Sequence, residues 1–243
     1  MRFTNRVVVV TGAGSGLGLE VARQFADEGA HVIGADLTIA EPQPGVIPVI
    51  ADVTTEEGVQ SIIDEATARW GRVDILSNNV GWVSYSSALD CSVEEFRQSF
   101  EVNVLAAFLL TRAVLPSMIA TGSGSIVNTA STAGIVGLRD RAAYCSNKAA
   151  VISFTRQVAV QYAGDGVRAN SVAPGAMETP MLQRAFQQRE DPAAARSAAE
   201  KSIPTGRLAT PVEVARTILY LSSDDAAQIT GTNVVIDGGI TAA

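Results

Sequence analysis

The sequence predicts an α/β fold: one doubly wound parallel sheet of about seven strands with helices on both faces. Three observations carry that expectation. Val7-Val8-Val9-Val10 is an unbroken β-branched run, which suits a strand buried on both faces of a helix-covered parallel sheet. The glycine-rich turn Thr11-Gly12-Ala13-Gly14-Ser15-Gly16-Leu17-Gly18 follows it directly and opens into a helical pattern. Strand-like and helix-like segments then alternate along the chain, with no linker, repeat or low-complexity stretch between them. The 243 residues are therefore read as one Rossmann-type dinucleotide-binding domain, 1–243.

In chain order, Arg6–Thr11 is the first strand. The first helix runs through Leu19, Val21, Ala22, Phe25 and Ala26 and is closed by Gly29. His31–Asp36 is the second strand and ends in a carboxylate. Glu41-Pro-Gln-Pro-Gly45 is a turn, and Val46–Ala51 a third strand with Asp52 and Val53 at its end. Glu56–Trp70 is amphipathic, with Val59, Ile62, Ile63 and Ala66 on one face. Val73–Ser77 is a fourth strand that leads into Asn78-Asn79-Val80-Gly81, a loop suited to crossing a cofactor. From Val93 to about Ile119 the pattern is one long helix, which Pro116 should bend or end. Gly124–Ala130 is a fifth strand and delivers Ser131 at its carboxyl end, where open α/β sheets bind ligands. A helix over Ala142–Ala163 carries Tyr144 and Lys148, and Val167–Ala173 is a sixth strand followed by Pro174-Gly175. In 176–203, Met181, Leu182 and Phe186 sit among charges and alanines, a composition that suits a mobile substrate flap. Pro211–Ser222 is the last helix and Asn233–Ile236 the last strand.

Composition excludes several functions. The net charge of −7 opposes binding to nucleic acid or to an anionic membrane surface. No apolar run approaches the roughly 18 residues of a membrane-spanning helix. The start, Met1-Arg-Phe-Thr-Asn-Arg6, passes straight into a strand, so a cytoplasmic protein without a signal peptide is expected. Cys91 and Cys145 form no C-x-x-C pair, and Cys145 reads as a small space-filling residue. His31 is the only histidine, which removes a histidine-rich metal site and a serine-hydrolase triad; no metal is expected.

The glycine turn suits a pyrophosphate. Gly12 allows a tight turn, Gly16 lets backbone approach the phosphates at a helix N-terminus, and Gly18 lets helix and strand pack closely. Ser15 and Leu17 complete the loop. Asp36 lies 20 residues beyond Gly16, where a carboxylate accepts from an adenosine ribose diol and repels a 2′-phosphate. Neither Ser15 nor Leu37 offers a cation for such a phosphate, so the expected cofactor is NAD rather than NADP. Asp52, next to Val53, reads equally as an acceptor for the adenine amino group and as a helix N-cap, a role open also to Thr54 or Thr55. Asn103 sits among Phe100, Val104, Ala107 and Phe108 and needs partners, because an unpaired buried amide costs roughly 1–3 kcal/mol. Those partners belong either to the active centre or to a structural hydrogen bond.

The chemistry is placed at Tyr144 and Lys148, four residues apart and so on one face of a helix. A free phenol ionises near pH ~10, and bringing it to about 7 requires roughly 4 kcal/mol of preferential phenolate stabilisation. One ammonium at ~4 Å, at an effective dielectric of about 20, supplies that much. Tyr144 is then an acid/base candidate, and Ser131 a second hydroxyl for the substrate oxygen.

Thr11-Gly12-x-x-x-Gly16-x-Gly18, Asn78-Asn79-x-Gly81, Asn103, Ser131, Tyr144-x-x-x-Lys148 and Pro174-Gly175 with Thr179 together closely resemble the short-chain dehydrogenase/reductase family. The likeness runs from the first strand to the last. It implies that Tyr144 is the general acid/base, that Lys148 holds the nicotinamide ribose and lowers the phenol pKa, and that Ser131 fixes the substrate oxygen. It further implies that Asn103 holds a water linking Lys148 to solvent and that Thr179 meets the nicotinamide carboxamide. Asn79, Pro174 and Gly175 join the cofactor site, and pairing into dimers or tetramers runs through the two long helices. One departure is visible: Val80 stands where the family's Asn-Asn-Ala-Gly motif has alanine. The reading is an NAD-dependent enzyme interconverting a small-molecule secondary alcohol and its ketone. A 3-oxoacyl-thioester reductase and a non-catalytic NAD-binding regulator are the alternatives. Trp82, Val83, Leu138, Met181, Leu182 and Phe186 are candidate substrate-pocket walls, and Arg139 and Arg141 flank the site in sequence, either toward an anionic substrate or as exposed charge.

Overall fold

The computed structural model describes residues 1–242. Strands β1 (Val7–Thr11), β2 (His31–Asp36), β3 (Val46–Ile50), β4 (Ile75–Asn78), β5 (Gly124–Thr129), β6 (Val167–Pro174) and β7 (Asn233–Ile236) form one parallel sheet in the order β3-β2-β1-β4-β5-β6-β7. The direction of winding reverses between β1 and β4, the point at which such sheets open a crevice at their carboxyl ends.

The valine run of β1 shows why both faces are apolar. Val7 and Val9 join one buried layer with Ile62 of α2 (Glu56–Trp70), Leu110 and Met118 of α4 (Ala106–Thr121), and Val158 of α5 (Ala142–Tyr162). Helix α3 (Val93–Phe100) leads into α4 on the same side. Val8 and Val10 face the other layer, with Val21 and Phe25 of α1 (Gly16–Asp27) and Ile218 and Leu219 of α8 (Pro211–Ser222). The alternation of a strand sends successive side chains into opposite layers, and neither face is left to water. Pro48 sits in β3, the edge strand, where a missing N–H costs no ladder bond on the open side.

The long helix expected from Val93 differs in detail. A π-helical turn, Glu101–Leu105, separates α3 from α4, and it carries Asn103. Pro116 does not end the helix, which continues to Thr121 and stops at Gly122 in the left-handed conformation. Pro116 and Arg112, whose carbonyl loses its helical donor, both lie on the exposed side, while Leu115 and Met118 anchor the buried side. The helical run Val93–Thr121 is long and apolar enough, by length and composition, to cross a bilayer, which no uninterrupted apolar stretch in the sequence suggests. In the fold it lies against the sheet with Leu110, Val114 and Met118 buried.

Residues 176–203 contain two helices, α6 (Pro180–Gln187) and α7 (Pro192–Lys201). Thr179-Pro180 and Asp191-Pro192 start them: each cap side chain accepts from the third backbone N–H beyond it, and proline occupies the first turn.

Candidate active site

The carboxyl ends of β1, β4, β5 and β6 open into a cleft of about 410 Å³. On one wall lies the glycine turn, with Gly12 at φ +69° and Gly16 at φ +56°. Ser15 occupies the N-cap position of α1 but makes no capping bond, and the first turn holds no acidic residue. The leading N–H groups of α1 thus lack a side-chain acceptor from the protein, as an anion site requires. A Cβ on Gly18 would lie 2.2 Å from the Gly12 carbonyl oxygen, so the close packing expected of Gly18 is present. Leu17 also lines the cleft.

Asp36, at the end of β2, lines the same cleft and accepts from the Gly14 N–H at 2.9 Å. Asn79 ties three strand ends together. Its amide donates to the Thr11 carbonyl at 3.2 Å and the Ser77 carbonyl at 3.1 Å, and its oxygen accepts from the Thr129 hydroxyl at 2.9 Å. Pro174, Gly175 and Thr179 close the far wall. The Thr179 hydroxyl also caps α6, accepting from the Leu182 N–H at 3.3 Å.

Ser131 follows β5, while Tyr144 and Lys148 project from α5 into the cleft. The Lys148 ammonium is buried and donates to the Thr129 carbonyl at 2.9 Å. Of its three donors that engages one, which leaves capacity for ribose hydroxyls. Burial away from water brings its pKa down to about 8. The sequence argument for a lowered phenol pKa does not hold for the protein groups alone. Burial pushes Tyr144 above its ordinary value, and the Ser131 hydroxyl and the Arg141 charge pull it back only in part. The Lys148 ammonium lies 5.8 Å from the phenol ring centroid, and the desolvation left out of the Coulomb argument dominates.

Asn103 is held by structural partners. Its amide donates to the Trp82 carbonyl and the Ser99 carbonyl, both at 2.9 Å, and its oxygen accepts from the Trp82 N–H at 3.2 Å. It thereby pins the Gly81-Trp82 segment beside Lys148, for a Cβ on Gly81 would stand 3.2 Å from both Asn103 Oδ1 and Lys148 Nζ.

Several expected residues are not brought to the cleft. Leu37 is exposed to solvent. Asp52 is exposed and its carboxylate accepts from the Thr54 N–H at 2.9 Å and the Thr54 hydroxyl at 2.6 Å, while Thr55 is the actual cap of α2. Val53 is buried in the core layer beneath α2. Among the pocket candidates, Val83, Met181 and Leu182 line the cleft, and Phe186 lines an adjoining cavity. Trp82 contributes backbone contacts to Asn103 and lines neither, and Leu138 is exposed and lines neither. Sequence reasoning passed over Thr129, whose role is carried by a backbone carbonyl, and Tyr85, an exposed aromatic in a serine-rich loop.

A glycine cradle, uncapped helix N–H groups, a carboxylate lining the cleft at the end of β2 and a partly engaged buried ammonium fit an adenine–nicotinamide dinucleotide. The comparisons with known proteins agree. A family model described as enoyl-(acyl carrier protein) reductase matches residues 12–241. The chain is 40% identical to the dehydrogenase/reductase SDR family member 6 of Rattus norvegicus, over 98% of each chain. It is 38% identical to a meso-2,3-butanediol dehydrogenase of Serratia marcescens, over 100% of this chain and 97% of that one. It superposes on a crystal structure of levodione reductase with a TM-score of 0.92 at 36% identity, covering 100% of both chains. With these likenesses spanning nearly its whole length, the chain belongs to the short-chain dehydrogenase/reductase family, oxidoreductases that work with a nicotinamide cofactor.

Proposed function

We propose that this protein is an NAD(H)-dependent oxidoreductase that interconverts a secondary alcohol and its ketone, with Tyr144 as the general acid/base. The carrying observation is that Ser131, Tyr144 and Lys148 meet in the cleft that also holds the glycine turn. In oxidation the Tyr144 phenolate takes the hydroxyl proton, and the Ser131 hydroxyl hydrogen-bonds the substrate oxygen and orients its carbinol carbon. Lys148 anchors ribose hydroxyls and returns part of the stabilisation that burial removes from the phenolate. Asn103 acts through position, holding Gly81-Trp82 so that the ammonium keeps its place. When bound, oxidised nicotinamide supplies the hydride acceptor together with a positive charge that favours the phenolate.

Asp36 supports NAD over NADP, because its carboxylate faces the cleft where a 2′-phosphate would be repelled. The same residue speaks against a 3-oxoacyl-thioester reductase, a reaction that shares the catalytic residues and more often draws on NADPH. The exposed Phe100, Phe108, Ile119 and Val160, spread over α3, α4 and α5 and their junction, support association with a second copy of the chain. The test is initial-rate measurement of cofactor reduction and oxidation over a panel of secondary alcohols, ketones and 3-oxoacyl thioesters, with each of the two nicotinamide cofactors. NAD-linked turnover of alcohols is expected. NADPH-linked turnover confined to thioesters would replace this reading with the reductase, and cofactor binding without any turnover would replace it with a regulator.

A further inference from the structure

Beside the cleft lies a second cavity of about 780 Å³ that shares Tyr85 and Leu182 with it. Phe186 and Leu182 supply apolar wall, and Arg141 and Arg189 bring two guanidinium groups. Arg141 stands three residues before Tyr144, and its guanidinium lies over the Tyr85 ring, 3.8 Å from the centroid. It donates to the Asp140 carbonyl at 2.7 Å. Among the described residues neither Arg141 nor Arg189 makes an ion pair. By contrast Arg196, on α7, is held by Glu178 and Glu200, while the exposed Arg139 and Arg184, which line neither cavity, make no ion pair among those residues either.

Two acids also border the cavity. Asp191 is committed to capping α7, accepting from the Ala194 N–H at 2.9 Å, and Glu190 is exposed beyond Arg189. Burial and the neighbouring Tyr85 and Cys145 push the Tyr144 pKa up, while the Ser131 hydroxyl and, more weakly, the Arg141 charge pull it down; neither of the two acids is among these groups. A guanidinium ordered by stacking, free of a protein carboxylate and one helical turn from the acid/base, is a fork awaiting a planar anion.

We propose that this second cavity is a carboxylate-binding subsite, in which Arg141, with Arg189 at the rim, holds the acid group of a hydroxy acid or oxo acid whose carbinol or carbonyl carbon faces Tyr144. The inference rests on the alcohol–ketone reading and names its substrate class. Leu182 and Phe186 pack on the short aliphatic stretch between the two groups.

The test compares lactate, 3-hydroxybutanoate and 4-hydroxypentanoate, each with its methyl ester, in NAD-linked oxidation. For the best-fitting acid, kcat/KM is expected to exceed that of its ester by about tenfold or more, mainly through KM, and the ratio should shrink with added salt. Arg141→Gln should bring the ratio to about one, and Arg141→Lys should restore part of it. Arg139→Gln, which removes an exposed arginine that lines neither cavity, should leave the ratio unchanged. Calorimetric titration of the NAD-loaded protein with butanoate reads the subsite without turnover, and Arg141→Gln should weaken that binding about tenfold. Ratios at or below one for all three wild-type pairs, or a ratio and butanoate affinity unaltered in Arg141→Gln, would overturn the subsite. Butanoate held through Arg141 with no turnover of any acid, ester or neutral alcohol would instead overturn the alcohol–ketone reading and leave the subsite standing.

Discussion

The Lys148 ammonium donates to the Thr129 carbonyl at 2.9 Å and is otherwise walled in by Gly81, whose added Cβ would stand 3.2 Å from it. A strand-end carbonyl and a loop glycine thus decide where the charge of the active site sits. The same enclosure strips the ammonium of water and brings its pKa to about 8.

That depression makes stability depend on pH. Below pH 8 the ammonium is charged in both the folded and the unfolded chain, and its burial costs stability. Between about 8 and the ordinary 10.5 the unfolded chain binds a proton that the folded protein has shed, so stability rises with pH, by about 3 kcal/mol at most. Denaturant unfolding of the wild type and of Lys148→Met at several pH values across that window should show the rise only in the wild type. Parallel curves would mean that the ammonium keeps its hydration.

Tyr144→Phe retains the ring and removes the ionising hydroxyl. Turnover should fall by about 10²–10⁴-fold, the usual contribution of a positioned acid/base group. NADH affinity, followed by fluorescence titration, should stay within about twofold, since the ring still packs in place. Wild-type turnover in this variant would remove Tyr144 from the mechanism.

Asp36→Ala carries two separable consequences. The preference for NAD over NADP should relax by about tenfold or more in kcat/KM as the repelling carboxylate is lost. The Gly14 N–H loses its acceptor, which should cost about 1 kcal/mol in a denaturant melt. A stability loss with an unaltered preference would assign Asp36 to the glycine turn alone.

Two glycines should respond differently to alanine. In Gly18→Ala the new Cβ meets the Gly12 backbone carbonyl at 2.2 Å, which only a shift of β1 or α1 relieves. A loss of about 3 kcal/mol, together with weaker NADH binding, is expected by melt and titration. In Gly81→Ala the Cβ meets the end of the Lys148 side chain, so the protein should remain folded while kcat falls as the ammonium is displaced.

Phe108 and Val160 are exposed apolar residues on the two long helices. Light scattering should find the wild type larger than a monomer, and the pair Phe108→Glu with Val160→Glu should shift it toward monomer. A monomeric wild type would leave the apolar face without a partner copy.

The residues that could be read from the chain are those whose meaning is local. Gly12, Gly16 and Gly18 follow a strand and open a helix within eight residues, and Tyr144 and Lys148 share a face because helical spacing says so. The strand and helix order was legible for the same reason, since β-branched runs and amphipathic periods repeat within single elements. The sequence leaves Asp52 two roles, whereas in the fold Thr55 caps α2 and the Asp52 carboxylate accepts from Thr54; Trp82 matters by its backbone, which no side-chain pattern announces. The uneven composition of 176–203 suits a flap but does not announce the proline-led helices α6 and α7 within it.

The sequence by itself determined the sheet-and-helix class, the glycine cradle and the pairing of Tyr144 with Lys148 on one helix face, because each rests on side-chain types at short spacings. Only the tertiary structure decided the electrostatics: a buried lysine with a depressed pKa, a phenol raised by desolvation, and an arginine stacked on Tyr85 without a carboxylate. Those properties depend on how much water and which distant groups surround a charge, and packing between elements far apart in the chain sets both.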